Sequence, residues 1–241
     1  MPTEPGIEIS VVIPVYNEEK NIAQTMRRVR VFMSLKNLPW ECWIVNDGSS
    51  DNTAAIVRAA IKDNPDGFFK LVSYPANHGK GFAVRHGVLE ASGRTILVTD
   101  ADLSAPIKEL DKLMIALADG YDIALGSRAV RSPGADVKQS FKRWCAGRLF
   151  NSLVRLIVLR GIADTQCGFK CFKKEAARAL FSAQKLDGFS FDVEVLCLAQ
   201  KKGLRIQEVP VMWREGRDTR VRLFRDSLKM LKDVFYLRRT L

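Results

Sequence analysis

The sequence predicts an α/β fold in which a mainly parallel sheet is flanked by helices. Between residues 9 and 122, short runs rich in β-branched residues alternate with longer segments of helical periodicity. This alternation is typical of parallel strands joined by crossover helices. The 241 residues, of which 47% are hydrophobic, suffice for one folded domain with a small appendage. Polar residues follow several apolar runs, as expected where parallel strands end at one edge of a sheet.

The elements of this pattern can be assigned in chain order. Five strands are predicted in the first half, at residues 9–15, 42–46, 70–74, 95–99 and 123–125. Four helices separate them, at residues 19–33, 52–61, 81–91 and 107–118. After Gly126 the alternation becomes irregular, and Pro133 and Gly134 predict a loop at 132–137. Further on, strands are predicted at 168–172 and 205–211 and helices at 141–159, 174–181, 191–201 and 221–239.

The charge of the chain is uneven. The formal net charge is +11, and the part from Lys138 onward holds 23 basic and 10 acidic side chains, a net of +13. One domain is predicted over 1–215, including an amphipathic helix near 141–160, and a basic amphipathic helix over 216–241. Such a basic segment favours an acidic partner, such as phosphate groups, an anionic membrane surface or nucleic acid.

The cysteine content and the hydropathy of the chain predict its cellular location. The five cysteines form no C-x-x-C pair, and the N-terminus lacks a basic start followed by an apolar run. These features predict a reducing, cytoplasmic setting. No segment approaches the roughly 18 uncharged apolar residues of a spanning helix. We therefore expect at most a peripheral position on the cytosolic face of a membrane.

A pair of carboxylates follows the fourth predicted strand. Asp100 and Asp102 lie two residues apart, directly after an apolar run. If the chain stays extended there, both side chains point the same way and reach one cation together. Hard oxygen ligands suit Mg²⁺ or Mn²⁺, whose shell is usually completed by water and substrate phosphates. The alternative is a solvated loop in which Asp102 caps the next helix, but the position at the sheet edge favours the metal site.

Two other strand ends carry polar residues toward the same edge. In VNDGSSDNT, Asp47 ends a strand and Gly48 begins a turn into the next helix. Turn formation and helix capping explain Gly48 and its serines, whereas Asp47 is better explained as an acceptor for a nucleobase or ribose. In PVYNEEKN, the candidate contacts of the same nucleoside are Pro14, Tyr16 and Glu18.

A glycine-rich segment, NHGKGFAVRHG, precedes the third helix. Gly79 and Gly81 allow close approach of the backbone to a ligand, and Lys80 adds positive charge at a helix N-terminus. The segment is not a Walker loop, because no Ser or Thr follows Lys80, and Val84 breaks the dinucleotide-binding pattern. It predicts a neighbour of a phosphate group.

Taken together, these segments resemble a known family. The chain is similar to the family 2 glycosyltransferases of GT-A fold, which is Rossmann-like, and within them to the polyprenyl-phosphate glycosyl synthases. The matching segments are VVIPVYNEEKNI, VNDGSSDNT, NHGKGFAVRHG, TDADLSAP, IALGSR, GIADTQCGFKCF, FDVEVL and VPVMW. The run RGIADTQCGFK favours the glucose-transferring branch over the mannose-transferring one. The resemblance implies an inverting, metal-dependent transferase that moves a hexose from UDP-glucose or GDP-mannose to a polyprenyl, dolichyl-type phosphate.

The resemblance also implies roles for residues on the donor side. Asp47 is expected to contact the nucleoside base, Asp100 and Asp102 to bind Mg²⁺ or Mn²⁺, and Arg128 to contact the phosphates at the reaction centre. The mannose synthases carry Gln where this chain has Ser104. Ser104 is therefore a weaker candidate for a third metal ligand, and water can take its place.

On the acceptor side, the resemblance implies that Arg143 helps to hold the acceptor phosphate. A phosphate monoester, with a second pKa of about 6, is mostly dianionic at neutral pH and can attack without a general base. A saccharide or protein hydroxyl would need a carboxylate base, for which Asp192 and Glu194 are the candidates. Asp192 can equally be explained as a carboxylate that complements a helix N-terminus.

Two amphipathic helices, at 141–159 and 221–239, fit a lipid acceptor. The segment RVRLFRDSLKMLKDVFYLRR combines apolar residues with seven basic ones, and helices of this composition can lie in the headgroup region of a membrane. The alternative is packing on the sheet with a solvated basic face. A non-enzymatic basic module would explain the charge but not the acidic strand ends, and no nucleic-acid-binding motif is found, so no nucleic acid partner is expected.

Overall fold

The computed structural model describes residues 6–130, 132, 136–138, 141–215 and 223–240, without the side chains of 138, 141–146, 149–150 and 223–228. Its strands are β1 Ile9–Val15, β2 Trp40–Asp47, β3 Phe69–Tyr74, β4 Thr95–Val98, β5 Ile123–Ser127, β6 Val137–Lys138, β7 Lys170–Lys173, β8 Ile206–Pro210 and β9 Trp213–Arg214. Its α-helices are α1 Ile22–Ser34, α2 Thr53–Asp63, α3 Lys80–Glu90, α4 Leu110–Ala118, α5 Phe141–Ile157, α6 Lys174–Phe181, α7 Phe191–Lys201 and α8 Leu223–Thr240. A 3-10 turn, Ile107–Glu109, leads into α4.

A seven-stranded sheet forms the centre of the fold. Its order is β3-β2-β1-β4-β7-β5-β8, and β7 runs antiparallel to its neighbours β4 and β5 while the other described pairs of this sheet are parallel. The order of the strands reverses beside β1, which pairs with both β2 and β4. Ligands of α/β sheets bind outside the carboxyl ends of the strands at such a reversal. A separate ladder joins β6 and β9, which the sequence did not predict because two-residue strands carry no measurable periodicity.

Helices cover both faces of the sheet. Alternate residues of β1, such as Ile13 and Val12, face opposite cores because successive side chains of a strand point to opposite sides. One core lies under α1, α2 and α4, and the other under α3 and α5 to α8. The predicted mainly parallel α/β fold is thus confirmed, and β1, α6 and α7 begin and end where the sequence predicted.

The C-terminal helix takes part in this packing. Met230, Val234 and Leu237 of α8 are buried, and the Ser190 hydroxyl at the N-terminus of α7 donates to Asp233 at 2.6 Å. The boundary between a domain over 1–215 and a helix over 216–241 stays a prediction, but the described part of α8 is packed on the domain. None of the described helices is long and apolar enough to cross a membrane.

Candidate functional site

Asn17 joins the ends of the first two strands. Its backbone adopts a positive φ of 54°, which the short polar side chain of Asn tolerates. The Asn17 amide N–H donates to Ser49 Oγ at 2.9 Å, and its side-chain oxygen accepts the N–H of Ser50 at 2.8 Å. This role of Asn17 was not predicted from the sequence. The contacts hold the loop after β1 against the loop after β2.

The predicted nucleoside contacts of the first strand end lie around this loop. Pro14 is half-buried within β1, and Tyr16 is 40% exposed. Glu18 accepts a hydrogen bond from Asn21 Nδ2 at 2.8 Å, which directs its carboxylate to the start of α1. Of the three, Tyr16 therefore presents the most surface to a ligand, and the nucleotide contacts of all three stay predictions.

Asp47 has partners that the sequence did not predict. Its side chain is buried and accepts hydrogen bonds from Asn77 Nδ2 at 2.9 Å and from the N–H groups of His78 at 2.9 Å and Gly79 at 2.7 Å. These contacts tie the end of β2 to the loop before α3. A carboxylate has about four lone-pair sites, so one remains for a base donor, and the predicted base contact stays a prediction.

The carboxylate of Asp100 is bound to Lys80. Lys80 Nζ lies 2.6 Å from Asp100 Oδ1, and the two side chains are 23% and 35% exposed. Burial lowers the pKa of Lys80, but the carboxylates of Asp100, Asp192 and Asp102 outweigh burial and raise this pKa above its ordinary value. Lys80 is therefore a stable cation among three carboxylates.

The chain turns between Asp100 and Leu103 instead of staying extended. β4 ends at Val98, and the N–H of Leu103 donates to the carbonyl of Asp100 at 3.1 Å with Leu103 at a φ of 48°. The predicted alternation of an extended strand is therefore wrong at this point, because the strand has already ended. Both carboxylates still lie within electrostatic reach of Lys80.

Ser104 orients the carboxylate of Asp102. Its N–H and hydroxyl donate to the two oxygens of Asp102 at 2.9 and 2.8 Å, and its carbonyl accepts the N–H of Arg214 at 2.8 Å. The hydroxyl keeps two lone pairs while it donates, so ligation of a metal by Ser104 stays a prediction.

The chemistry of these residues fits a hard divalent cation. Within the described part of the chain, no group of three or more His, Cys, Asp or Glu side chains surrounds a common metal position. The predicted donor set thus stays at two carboxylates, Asp100 and Asp102. One or two carboxylates, completed by water and substrate phosphates, form the usual shell of Mg²⁺ in sites that handle phosphates, so the residues fit the predicted Mg²⁺ or Mn²⁺.

Gly168, just before β7, sets the position of Asp100. A Cβ at position 168 would lie 2.5 Å from Cγ and 2.8 Å from Oδ1 of Asp100, and closer still to Oδ2. A side chain at this position would therefore displace the carboxylate. Gly168 was predicted to lie in a strand, and this contact was not predicted, because it arises from the pairing of β7 with β4.

Arg128, at the end of β5, is locked by Asp164. Its Nε and Nη2 lie 2.7 and 2.8 Å from the two oxygens of Asp164, and its amide N–H donates to the same carboxylate at 2.9 Å. Although burial opposes ionisation of Asp164, Arg128 holds the pKa of this carboxyl below its ordinary value. The bidentate pair uses two of the five guanidinium N–H groups, which leaves others for a phosphate. Asp164 was not singled out from the sequence.

The two candidate bases of α7 have different partners. Asp192 Oδ1 lies 2.6 Å from Lys170 Nζ in a buried ion pair. Glu194 instead accepts hydrogen bonds from the backbone N–H groups of Lys185 at 3.0 Å and Leu186 at 2.8 Å. Residues two apart on a helix do not share a face. Glu194 therefore supports the loop between α6 and α7, and its prediction as a base finds no support in this geometry.

Arg143 lies in α5, but its side chain is outside the described part of the structure, so its predicted role on the acceptor side stays a prediction.

Comparisons with known proteins identify the family of this chain. The family model described as Glycosyl transferase family 2 matches residues 10–181. The dolichyl-phosphate beta-glucosyltransferase of Drosophila melanogaster is 36% identical over 246 residues, covering 97% of this chain and 75% of that protein. The protein of the same name from Saccharomyces cerevisiae is 36% identical, over 96% of this chain and 74% of that protein. The one from Homo sapiens is 32% identical, over 97% of this chain and 76% of that protein.

Solved structures share the fold at lower identity. Glucosyl-3-phosphoglycerate synthase from Mycobacterium tuberculosis, in complex with Mn²⁺ and UDP-glucose, has a TM-score of 0.72 at 18% identity, covering 96% of this chain and 79% of that one. Mannosyl-3-phosphoglycerate synthase from Rubrobacter xylanophilus has a TM-score of 0.73 at 20% identity, covering 97% and 74%. With a family model over most of its length and relatives above 30% identity, the chain belongs to glycosyl transferase family 2.

Proposed function

We propose that the protein transfers glucose from UDP-glucose to the phosphate of a dolichyl-type polyprenyl phosphate, with inversion at the anomeric carbon. The observation that carries this proposal is the Asp100 and Asp102 pair at the reversal of the sheet, beside Lys80 and Arg128. The names of the relatives support glucose and dolichyl phosphate. The Mycobacterium tuberculosis structure, which holds Mn²⁺ and UDP-glucose on the same fold, is consistent with a UDP-sugar and a divalent metal.

The donor side would stabilise the leaving diphosphate. A divalent cation held by Asp100 and Asp102 would supply positive charge next to the developing negative charge. Arg128 would add N–H donors that are already oriented, because Asp164 fixes its guanidinium before substrate binds. Tyr16 and Asp47, at the first two strand ends, would hold the nucleoside.

The acceptor side favours a phosphate over a hydroxyl. The two carboxylates suggested as bases are both engaged, Asp192 by Lys170 and Glu194 by backbone N–H groups. A phosphate dianion needs no base, since its oxygen is already ionised. Transfer to a saccharide or protein hydroxyl, the alternative, would require Asp192 to leave a buried ion pair.

The lipid acceptor suggests where the protein works. The helices α5 and α8 pack against each other and expose the apolar side chains of Leu156, Phe235 and Tyr236. Exposed Arg238 and Arg239 follow on α8, and each basic residue near an anionic surface contributes on the order of 1 kcal/mol. We propose peripheral contact through this α5–α8 face, on the cytosolic side of a membrane, where the free thiols of the four described cysteines would stay reduced.

The reaction is tested with radiolabelled UDP-glucose, dolichyl phosphate and Mn²⁺, followed by organic extraction. We expect label in the organic phase, and a loss of at least about a hundredfold in Asp100→Asn and Asp102→Asn. Asp119→Asn, an exposed carboxylate at the end of α4, is the matched control and should keep wild-type turnover. Label found only in water-soluble glycosides would refute the lipid acceptor, and transfer from GDP-mannose in preference to UDP-glucose would refute the proposed donor.

The membrane contact is tested by flotation with vesicles that contain anionic lipid. The test variant carries serine at Leu156, Phe235 and Tyr236. The control variant carries serine at three exposed apolar residues elsewhere: Val31 in α1, Leu35 just after α1 and Ile115 in α4. We expect the wild type and the control to float and the test variant to stay in the soluble fraction. Deletion of α8 is a poorer test, because it would remove buried Val234 and Leu237 from the core. Flotation of the test variant would contradict the proposed face.

A further inference from the structure

We infer that Lys80 is a resident counter-ion, which keeps a free divalent cation away from Asp100 until the diphosphate of the donor arrives. The inference rests on the proposed function, because it assigns the metal to Asp100 and Asp102. It adds an order to binding: the metal and the nucleotide are taken up together, and the site binds the metal weakly by itself.

The first support is the position of the ammonium group. Lys80 Nζ lies 2.6 Å from Asp100 Oδ1 and interacts electrostatically with Asp102 as well. An ammonium at hydrogen-bond distance takes up one of the two oxygens through which Asp100 could bind a cation. Two positive charges at one oxygen repel each other, so the metal and Lys80 compete for Asp100.

The second support is that the other two cations at this edge, Lys170 and Arg128, are held by more hydrogen bonds than Lys80 in the described part of the chain. Lys170 is only 4% exposed and binds both Asp192 and the carbonyl of Cys167 at 2.6 Å. Arg128 is held by three hydrogen bonds to one carboxylate. Lys80 is 23% exposed, and its ammonium donates a hydrogen bond to Asp100 Oδ1 at 2.6 Å.

The backbone at Lys80 is anchored, so that the side chain can move without it. The N–H of Gly79 donates to Asp47 Oδ2 at 2.7 Å, and the N–H of Phe82 donates to the carbonyl of Asp187 at 3.2 Å. Gly79 has a φ of 119° and lies against the backbone of Asp187, where a Cβ would not fit. The flexible four-carbon stem of Lys80 can then swing its ammonium from Asp100 to a nearby diphosphate.

The charges explain why the two ligands would cooperate. Three carboxylates, Asp100, Asp102 and Asp192, face two ammonium groups, Lys80 and Lys170, so the described cluster carries a net charge of −1. A dication alone would displace Lys80 and leave its charge without a partner. A diphosphate gives Lys80 a new partner, so each ligand strengthens the binding of the other by the same factor.

The test measures Mn²⁺ affinity by electron paramagnetic resonance of free Mn²⁺, with and without UDP. Lys80→Met removes the ammonium, Lys80→Arg keeps a positive charge, and Lys62→Met removes an exposed lysine at the far end of α2 as a control for net charge. Without UDP, we expect Lys80→Met to bind Mn²⁺ about tenfold more tightly than the wild type. Lys80→Arg and Lys62→Met should bind Mn²⁺ with an affinity within about twofold of that of the wild type. In Lys80→Met, UDP should enhance Mn²⁺ binding less than in the wild type.

The outcomes separate this inference from the proposed function. If UDP promotes Mn²⁺ binding in the wild type but Lys80→Met binds Mn²⁺ no more tightly without UDP, the counter-ion role is refuted and the metal site stands. If the wild type binds no Mn²⁺ even with UDP, both the metal site and the counter-ion role are refuted. Thermal melting of each variant checks that it folds; Lys80→Gln replaces Lys80→Met if the latter does not.

Discussion

Replacing Gly168 by alanine should disable the proposed metal site while leaving the fold intact. The new Cβ would lie 2.5 Å from Cγ and 2.8 Å from Oδ1 of Asp100, whereas ordinary contacts begin at 3.4 Å. The carboxylate must therefore retreat by at least about 0.9 Å, and by more at Oδ2, the oxygen nearest the new Cβ. A shift of about 1 Å in a reacting group can cost on the order of a hundredfold in rate. Because Asp100 is 35% exposed, its side chain can move outward without unfolding the protein.

Two measurements follow from this argument. Glucosyl transfer to dolichyl phosphate should fall about a hundredfold in Gly168→Ala, and Mn²⁺ binding in the presence of UDP should weaken. The free energy of unfolding in urea should change by less than about 1 kcal/mol. Gly147→Ala is the matched control, because a Cβ at Gly147 in α5 would meet nothing within 4 Å. It should keep full activity.

Wild-type activity and Mn²⁺ affinity in Gly168→Ala would refute the reasoning, since they would show that Asp100 does not need its present position. A loss of activity that comes with a large loss of stability would also contradict it, because the contact would then be structural.

Two further predictions concern buried carboxylates. Asp164→Asn should lower kcat/KM about tenfold to a hundredfold, because it loosens the guanidinium of Arg128. Arg128→Lys, which cannot form the bidentate pair, should lower kcat/KM by a similar factor. Unchanged kinetics in both variants would argue against a catalytic role for the Arg128–Asp164 pair. Burial raises the pKa of Glu41 in β2, but hydrogen bonds, the largest from Lys70, outweigh burial and lower it from 4.5 to about 2. A depressed pKa of this size contributes about 3 kcal/mol of stability above pH 4.5, which is lost as the pH falls toward 2. In urea unfolding at pH 7, Glu41→Gln should therefore have a free energy of unfolding about 3 kcal/mol below that of the wild type, and this difference should shrink between pH 4.5 and 2. A difference that does not change with pH, or an equal loss of stability in exposed Glu175→Gln, would count against this prediction.

The pattern of apolar residues predicted most of the fold. Strand β1 and helices α6 and α7 lie where their periodicity placed them, because the local repeat of buried side chains records which type of element the chain forms. The antiparallel direction of β7 could not be predicted from the apolar pattern, because side chains alternate in the same way along a strand of either direction. The C-terminal helix shows the same limit. Its amphipathic pattern predicted a buried side, and only packing decided that Val234 and Leu237 face the core while Phe235 faces outward.

For the site, the sequence by itself predicted that Asp47, Asp100 and Arg128 follow strands whose carboxyl ends lie at one edge of the sheet, and the strands before them, β2, β4 and β5, do run in the same direction. Only the tertiary structure decided what holds them. Asp164 and Gly168 act through partners that lie more than 30 residues away in the chain, and no local pattern encodes such a pairing. The extended geometry expected for Asp100 and Asp102 was wrong, because β4 ends at Val98 and the chain turns after it. Strand periodicity describes the chain only as far as the strand continues.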